Sequence, residues 1–269
     1  MIKLNGEPIQ FKHFNDGTLR LTLSSVDKCI YRITWLYEND EELTQIYFLT
    51  QHLRKAWKIA GITLEMPYVP NARMDRVKDK NECFTLKYFC DFINSLNFTK
   101  VIIFDPHSRV AAALLDNVEV YDATIPITNV ITKHSTATLC FPDSGAMQRY
   151  SKLFSDIYFA FGVKDREWSS QEVKSLKIMG AKHMIAGHDV ILCDDIISRG
   201  STIYLAAKQL KEMGTEKIYV YCSHCEKTIM EPHLNGQSLL EIPNLIEKVY
   251  TTNSIWKYKH PKVEVIFTF

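Results

Sequence analysis

The segment Val190 to Ala206, VILCDDIISRGSTIYLA, runs an apolar stretch into paired acids, Asp194 and Asp195, and then into a small, hydroxyl-rich turn that opens a helical pattern. Such a turn is suited to anions. Backbone N–H groups at a helix N-terminus point at the ligand, Ser201 and Thr202 add hydroxyl donors, and Gly200 lets the backbone come close. Ser198 and Arg199 complete the turn. Carboxylates repel phosphate, so Asp194 and Asp195 serve something else, either vicinal hydroxyls or a metal. Acids and cradle together point to a phosphorylated sugar rather than bare phosphate; a solvated turn with a capping serine is the plain alternative.

Other segments carry groups able to handle phosphate. Lys164 and Arg166, in FGVKDREWSS, stand two residues apart at the start of a long polar stretch. His107, in FDPH, and Asp143, in PDSGAMQR, each follow an apolar run that reads as a buried strand, which places them at a strand end, where ligands of α/β sheets sit. Arg73 and Arg76, in YVPNARMDR, can pair with phosphate oxygens in two-point contacts, with Asp75 between them; a surface salt-bridge cluster is the alternative. Cys222 and Cys225 form a C-x-x-C around His224 but have no second pair, so the zinc signal is weak.

The elements that must position these groups alternate in type. Helical stripes are expected near 41–60, 82–96, 109–115, 145–154 and 202–213, and strands at 62–66, 100–104, 137–141, 157–161, 189–193, 217–222 and 263–269. This is the rhythm of an α/β fold on mostly parallel sheets. Between Tyr121 and Thr136 apolar periodicity fades and Thr, Pro and Asn cluster, so no helix is expected there and a domain boundary is, with domains at 1–122 and 123–269. The stretch 164–177 reads as a polar loop.

Composition narrows the class. The 269 residues carry 32 Lys+Arg against 31 Asp+Glu and 46% hydrophobic content, an ordinary globular profile with no charge bias toward nucleic acid or a membrane surface. No apolar run approaches the ~18 residues of a membrane span and no signal-peptide core is present, so a cytoplasmic protein is expected. Seven scattered cysteines read as reduced thiols, mostly buried.

The acid-acid-turn segment resembles the phosphoribosyl-diphosphate (PRPP) motif shared by phosphoribosyltransferases and ribose-phosphate diphosphokinases, the PRPP synthetases. The remaining segments favour the second group. YVPNARMDR resembles its arginine-rich ATP loop, FDPH its strand-end Asp-x-His, PDSGAMQR its Pro-Asp-x-Gly segment, Thr252 to Ile255 (TNSI) a late signature, and Phe14 to Gly17 (FNDG) its adenine-contact loop. Their order agrees with the family from about residue 14 to 256.

The resemblance implies two phosphoribosyltransferase-like domains, an N-terminal one for ATP and a C-terminal one for ribose 5-phosphate. It implies transfer of the diphosphoryl group of ATP to the C1 hydroxyl of ribose 5-phosphate, with AMP leaving and Mg²⁺ as cofactor. Lys164, Arg166 and His107 would be catalytic, His107 and Asp143 would bind or position the metal, and Phe14, Asp16, Arg73, Asp75 and Arg76 would hold ATP. Asp194, Asp195, Ser198, Arg199, Gly200, Ser201 and Thr202 would hold ribose 5-phosphate. In the family the adenine loop serves a neighbouring subunit, so a homo-oligomer with shared active sites is implied. Against the family pattern the chain is expected to begin one strand and helix late and to end early, a shortened form. A phosphoribosyltransferase using PRPP and a non-catalytic, synthetase-like regulatory subunit remain alternatives.

Overall fold

The computed structural model describes residues 1–23, 25, 28–55, 59–166 and 173–269, with the side chains of 165, 166 and 173–175 outside that description. The chain forms two compact units, residues 1–122 together with Phe269, and residues 123–268.

In the first unit a six-stranded sheet has the order β2-β1-β5-β6-β7-β8 among the described residues. Strands β5 (Ile30–Trp35), β6 (Gly61–Glu65), β7 (Lys100–Phe104) and β8 (Val118–Tyr121) run parallel, and β1 (Ile2–Leu4) pairs antiparallel with both β5 and β2 (Glu7–Pro8). A separate hairpin joins β3 (Lys12–His13) to β4 (Leu19–Arg20). Helix α1 (Glu41–Lys55) begins with two acids and ends with His52, Arg54 and Lys55, the order its dipole favours. Helix α2 (Thr85–Ser95) buries Leu86, Phe89, Cys90 and Ile93, a stripe at helical spacing. The short helix α3 (Arg109–Leu114) starts at Ser108, whose hydroxyl caps the Val110 N–H.

The second unit holds a seven-stranded sheet in the order β11-β10-β9-β12-β13-β14-β15 among the described residues. Its parallel strands are β9 (Thr138–Phe141), β10 (Phe159–Arg166), β12 (Val190–Ile197), β13 (Ile218–Cys225), β14 (Lys248–Thr252) and β15 (Val263–Phe267). The edge strand β11 (Val173–Met179) pairs antiparallel with β10. Residues 190–193 and all of β13 are buried, as expected of parallel strands covered on both faces. Helices α4 (Thr124–Lys133), α5 (Ser144–Tyr150) and α6 (Ser201–Glu212) complete the unit. Helix α6 docks through Ile203, Ala206, Ala207 and Leu210.

Three sequence expectations need correction. A helix, α4, occupies the stretch where none was expected. Its Pro126 is the third residue, where the backbone N–H has no intrahelical partner to lose, so the proline that reads as a breaker is compatible with a helix start. The stretch 164–177 is largely strand at its two ends, because residues on a sheet edge need not alternate cleanly with an apolar face. The acids Asp194 and Asp195 lie inside β12 rather than after it. Of the cysteines, Cys90, Cys140, Cys193, Cys222 and Cys225 are buried, whereas Cys29 and Cys83 are exposed.

Candidate functional site

The carboxyl edge of the second sheet brings together groups far apart in sequence. Asp143 follows β9 and caps α5, its Oδ1 accepting from the Ala146 N–H at 3.0 Å. Its Oδ2 accepts from Lys164 Nζ at 2.6 Å, and the same ammonium donates to Thr202 Oγ1 at 3.1 Å. Lys164 on β10 is thus bound both to the end of β9 and to the first turn of α6. Burial pushes the Asp143 carboxyl up, but the Lys164 hydrogen bond and the backbone N–H groups of Ala146 and Gly145 outweigh it, and the group is held below the usual carboxylate range.

Asp194 and Asp195 project from neighbouring positions of β12. Asp195 is 4% exposed, and its Oδ1 lies 2.5 Å from Arg149 Nη1. Asp194, still partly open to solvent, accepts from the Asp195 N–H at 3.0 Å. Burial, then the Asp195 and Asp143 carboxylates, drive its carboxyl well above the usual range. Three acids therefore crowd one strand edge, with Lys164 at Asp143 and Arg149 at Asp195 as counterions.

Directly after this edge the chain turns into α6. Gly200 adopts φ +81°, and a Cβ there would meet Leu239 Cδ2 at 2.5 Å, so both conformation and space demand glycine. The turn is braced from behind by residues following β13. The Ser198 and Thr228 hydroxyls are 3.0 Å apart, Thr228 Oγ1 donates to Glu226 Oε2 at 3.2 Å, and Arg199 pairs with Glu231 at 3.4 Å. With twelve residues, α6 begins with N–H groups, at Ser201 and Thr202, that have no carbonyl partner within the helix.

The late TNSI segment packs on the end of β13. His224 Nδ1 lies 2.8 Å from Ser254 Oγ, and Thr252 Oγ1 donates to the Ser223 carbonyl at 2.7 Å, all buried. The Cys222 thiol contacts Thr251 Oγ1 at 3.7 Å, and burial raises it well above the ordinary thiol range.

In the first unit, the FNDG segment is the tip of the β3–β4 hairpin. Phe14 is half-exposed with the Arg20 guanidinium 5.6 Å from its ring centre. Asp16 Oδ1 accepts from the Thr18 N–H and hydroxyl at 3.0 and 2.7 Å, contacts that hold its carboxyl below the usual range. The arginine loop leaves β6 with Tyr68, Val69 and Ala72 buried as anchors, while Arg73 and Arg76 point outward. Asp75 is 4.0 Å from Arg76 Nε. The loop starts beside β7, since the Phe104 N–H donates to the Pro67 carbonyl at 3.1 Å. Asp105, buried at the end of β7, takes φ +41°, an uncommon backbone for a non-glycine residue, and His107 follows partly exposed.

Arg166 ends β10, two residues beyond Lys164, and its side chain lies outside the described residues. Arg149 is the site residue that sequence reasoning missed. It stood inside PDSGAMQR without a role, and its contact with β12 depends on the pairing of β12 with β9, which no local pattern in the sequence signals.

Among the described residues no group of three or more His, Cys, Asp or Glu side chains is arranged as a cage for an ion. Magnesium takes one or two carboxylates together with substrate phosphates and water, and the ionised, partly open Asp143 is a donor of that kind.

Comparison with known proteins shows what the chain is similar to. The phosphoribosyl transferase domain family matches residues 142–256. The ribose-phosphate pyrophosphokinase of Listeria ivanovii is 28% identical over 251 residues, covering 90% of this chain and 76% of that protein. The Bacillus subtilis ribose-phosphate pyrophosphokinase is 26% identical over 258 residues, 93% of this chain and 78% of its own length. A crystal structure of phosphoribosylpyrophosphate synthetase from Mycobacterium smegmatis superposes with a TM-score of 0.76 at 19% identity, covering 97% of this chain and 86% of that one. The resemblance expected from the motifs is borne out along nearly the whole chain, and the two-sheet α/β architecture with it.

Proposed function

We infer that this chain is a ribose-phosphate diphosphokinase, transferring the diphosphoryl group of ATP to the C1 hydroxyl of ribose 5-phosphate to give PRPP and AMP. The observation that carries this reading is the reach of the similarity. It spans 90% of the chain, whereas a phosphoribosyl transferase domain accounts only for residues 142–256. A transferase that merely consumes PRPP has no use for the arginine loop and hairpin of the first unit.

Ribose 5-phosphate is assigned to the second unit. The α6 N-terminus, with Gly200, Ser201 and Thr202, takes the 5-phosphate, Ser198 and Arg199 shape the turn, and Asp194 and Asp195 accept from the ring hydroxyls. ATP is assigned to the first unit. Phe14 offers a face to the adenine and Asp16 an acceptor, while Arg73 and Arg76 offer guanidinium forks to the triphosphate, with Asp75 orienting Arg76.

Diphosphoryl transfer asks the protein for position and charge control. Lys164 is held by Asp143 and Thr202 with its ammonium at the strand edge, poised to exchange these partners for phosphate oxygens, and Arg166 follows it on the same strand. When bound, Mg²⁺ neutralises charge on the transferring phosphates. Asp143 in the second unit is a proposed metal holder, and His107 in the first unit is proposed to bind or position the metal, directly or through water, since imidazole is an unusual magnesium ligand. A homo-oligomer in which the FNDG hairpin serves a neighbouring subunit, and a cytoplasmic location, complete the proposal. No helix among the described residues is long and apolar enough to cross a membrane.

The test is AMP release that requires ATP, ribose 5-phosphate and Mg²⁺ together. Base-dependent consumption of PRPP without AMP release would favour a phosphoribosyltransferase instead, and binding without chemistry a regulatory subunit.

A further inference from the structure

We propose that Arg149 is the positioning residue of the sugar site, holding the Asp195 carboxylate aimed at the ring hydroxyls of ribose 5-phosphate. The assignment rests on the functional reading above. Arg149 lies in the last turn of α5, the helix that Asp143 caps, and its Nη1 is 2.5 Å from Asp195 Oδ1. Its other side is fixed as well. The guanidinium carbon sits 5.8 Å from the ring centre of Tyr150, which is fully buried and packs on Phe141 with ring centres 6.0 Å apart.

The need for such a cation follows from the crowding of acids. Asp195 is almost sealed from water beside Asp194, and a buried carboxylate next to another acid needs a paired cation and a fixed orientation. Lys164 meets this need at Asp143 but is also proposed to engage phosphate. Arg149 faces Asp195 with a side chain only 22% exposed and has no such second task. Because α5 carries Asp143 at one end and Arg149 at the other, one seven-residue helix sets the two acids relative to each other.

The experiment is initial-rate kinetics on the purified full chain and on Arg149→Met and Arg149→Lys, each substrate varied with the other saturating. Arg149→Met is expected to raise KM for ribose 5-phosphate about tenfold or more, with KM for ATP within about twofold of wild type. Arg149→Lys keeps a positive charge but on a shorter side chain of different shape, and is expected about threefold above wild type for ribose 5-phosphate alone. A structural role would lower the active fraction, and hence kcat, without splitting the two KM values. Unchanged KM for ribose 5-phosphate in Arg149→Met, or an equal rise for both substrates, overturns the proposal. Should circular dichroism show Arg149→Met unfolded, Arg149→Lys decides by itself: a selective rise supports the assignment and wild-type values overturn it. A wild-type protein that releases no AMP contradicts the functional reading itself, whereas an active wild type with an unaffected Met variant contradicts only the role of Arg149.

Discussion

Lys164 Nζ lies 2.6 Å from Asp143 Oδ2, joining strand β10 to the residue that follows β9 and caps α5. The pair makes each group useful to the other. The ammonium keeps the acid ionised, and the acid keeps a long, flexible side chain at the strand edge where phosphate is expected.

Replacing Lys164 with Met should therefore leave a folded protein with little turnover. A kcat loss of at least about 100-fold is expected, in the range for removing one preorganised charge partner of a transition state. Steady-state AMP release, with circular dichroism as the fold control, checks it. Turnover within threefold of wild type would remove Lys164 from the mechanism.

Asp194→Asn should stabilise the ligand-free protein while weakening ribose 5-phosphate binding. In the folded chain the Asp194 carboxyl is pushed up by burial and by Asp195 and Asp143, so the folded state holds its proton to higher pH than the unfolded state does. Stability is then lost as pH rises from about 4 through the folded value, and the Asn variant escapes that loss. A melting temperature above that of wild type is expected at pH 7, with the gain gone below about pH 4. Thermal scans at both pH values, and calorimetry with ribose 5-phosphate, read the two effects.

His134 should make stability fall on acidification. Its ring stacks on Tyr219 with centres 3.6 Å apart, and Nε2 lies 2.9 Å from the Tyr250 hydroxyl. Burial, then Lys133, holds its pKa below the ordinary value. The unfolded chain takes up the proton first, so this contribution is full above about pH 6.5 and is lost as pH falls from there through the folded value. Urea denaturation at pH 7.5 and 5.5 should show a smaller drop for His134→Gln than for wild type. Equal drops would contradict it.

Two glycines separate conformational strain from crowding. Gly187 has φ +74° with open space around a would-be Cβ, so Gly187→Ala should cost about 1 kcal/mol for the left-handed backbone alone. Gly200→Ala adds a clash with Leu239 and should cost about 2–4 kcal/mol. Denaturant midpoints compare them, and equal costs would mean that Leu239 moves aside freely.

Much of this was legible in the sequence because parallel strands write themselves as short apolar runs. IIF of β7, TLCF of β9 and VILC of β12 are unmistakable, and the acids and turn that follow VILC name their chemistry. Helix α4 was hidden because Thr and Pro suit a helix start as well as a loop, and only Ile127 and Val130 meeting the core decide between them. The Arg149–Asp195 contact was hidden for another reason. It joins residues 46 apart in sequence through a strand pairing, β12 beside β9, that no local pattern announces.

The central claim is that a diphosphoryl group, not a single phosphoryl, leaves ATP. Phosphorus NMR of the protein with ATP, Mg²⁺ and ribose 5-phosphate tests it directly. AMP and a sugar-linked diphosphate appearing together in equal amounts is the expected result; ADP with a sugar monophosphate ester at C1, or unchanged ATP, would contradict the account.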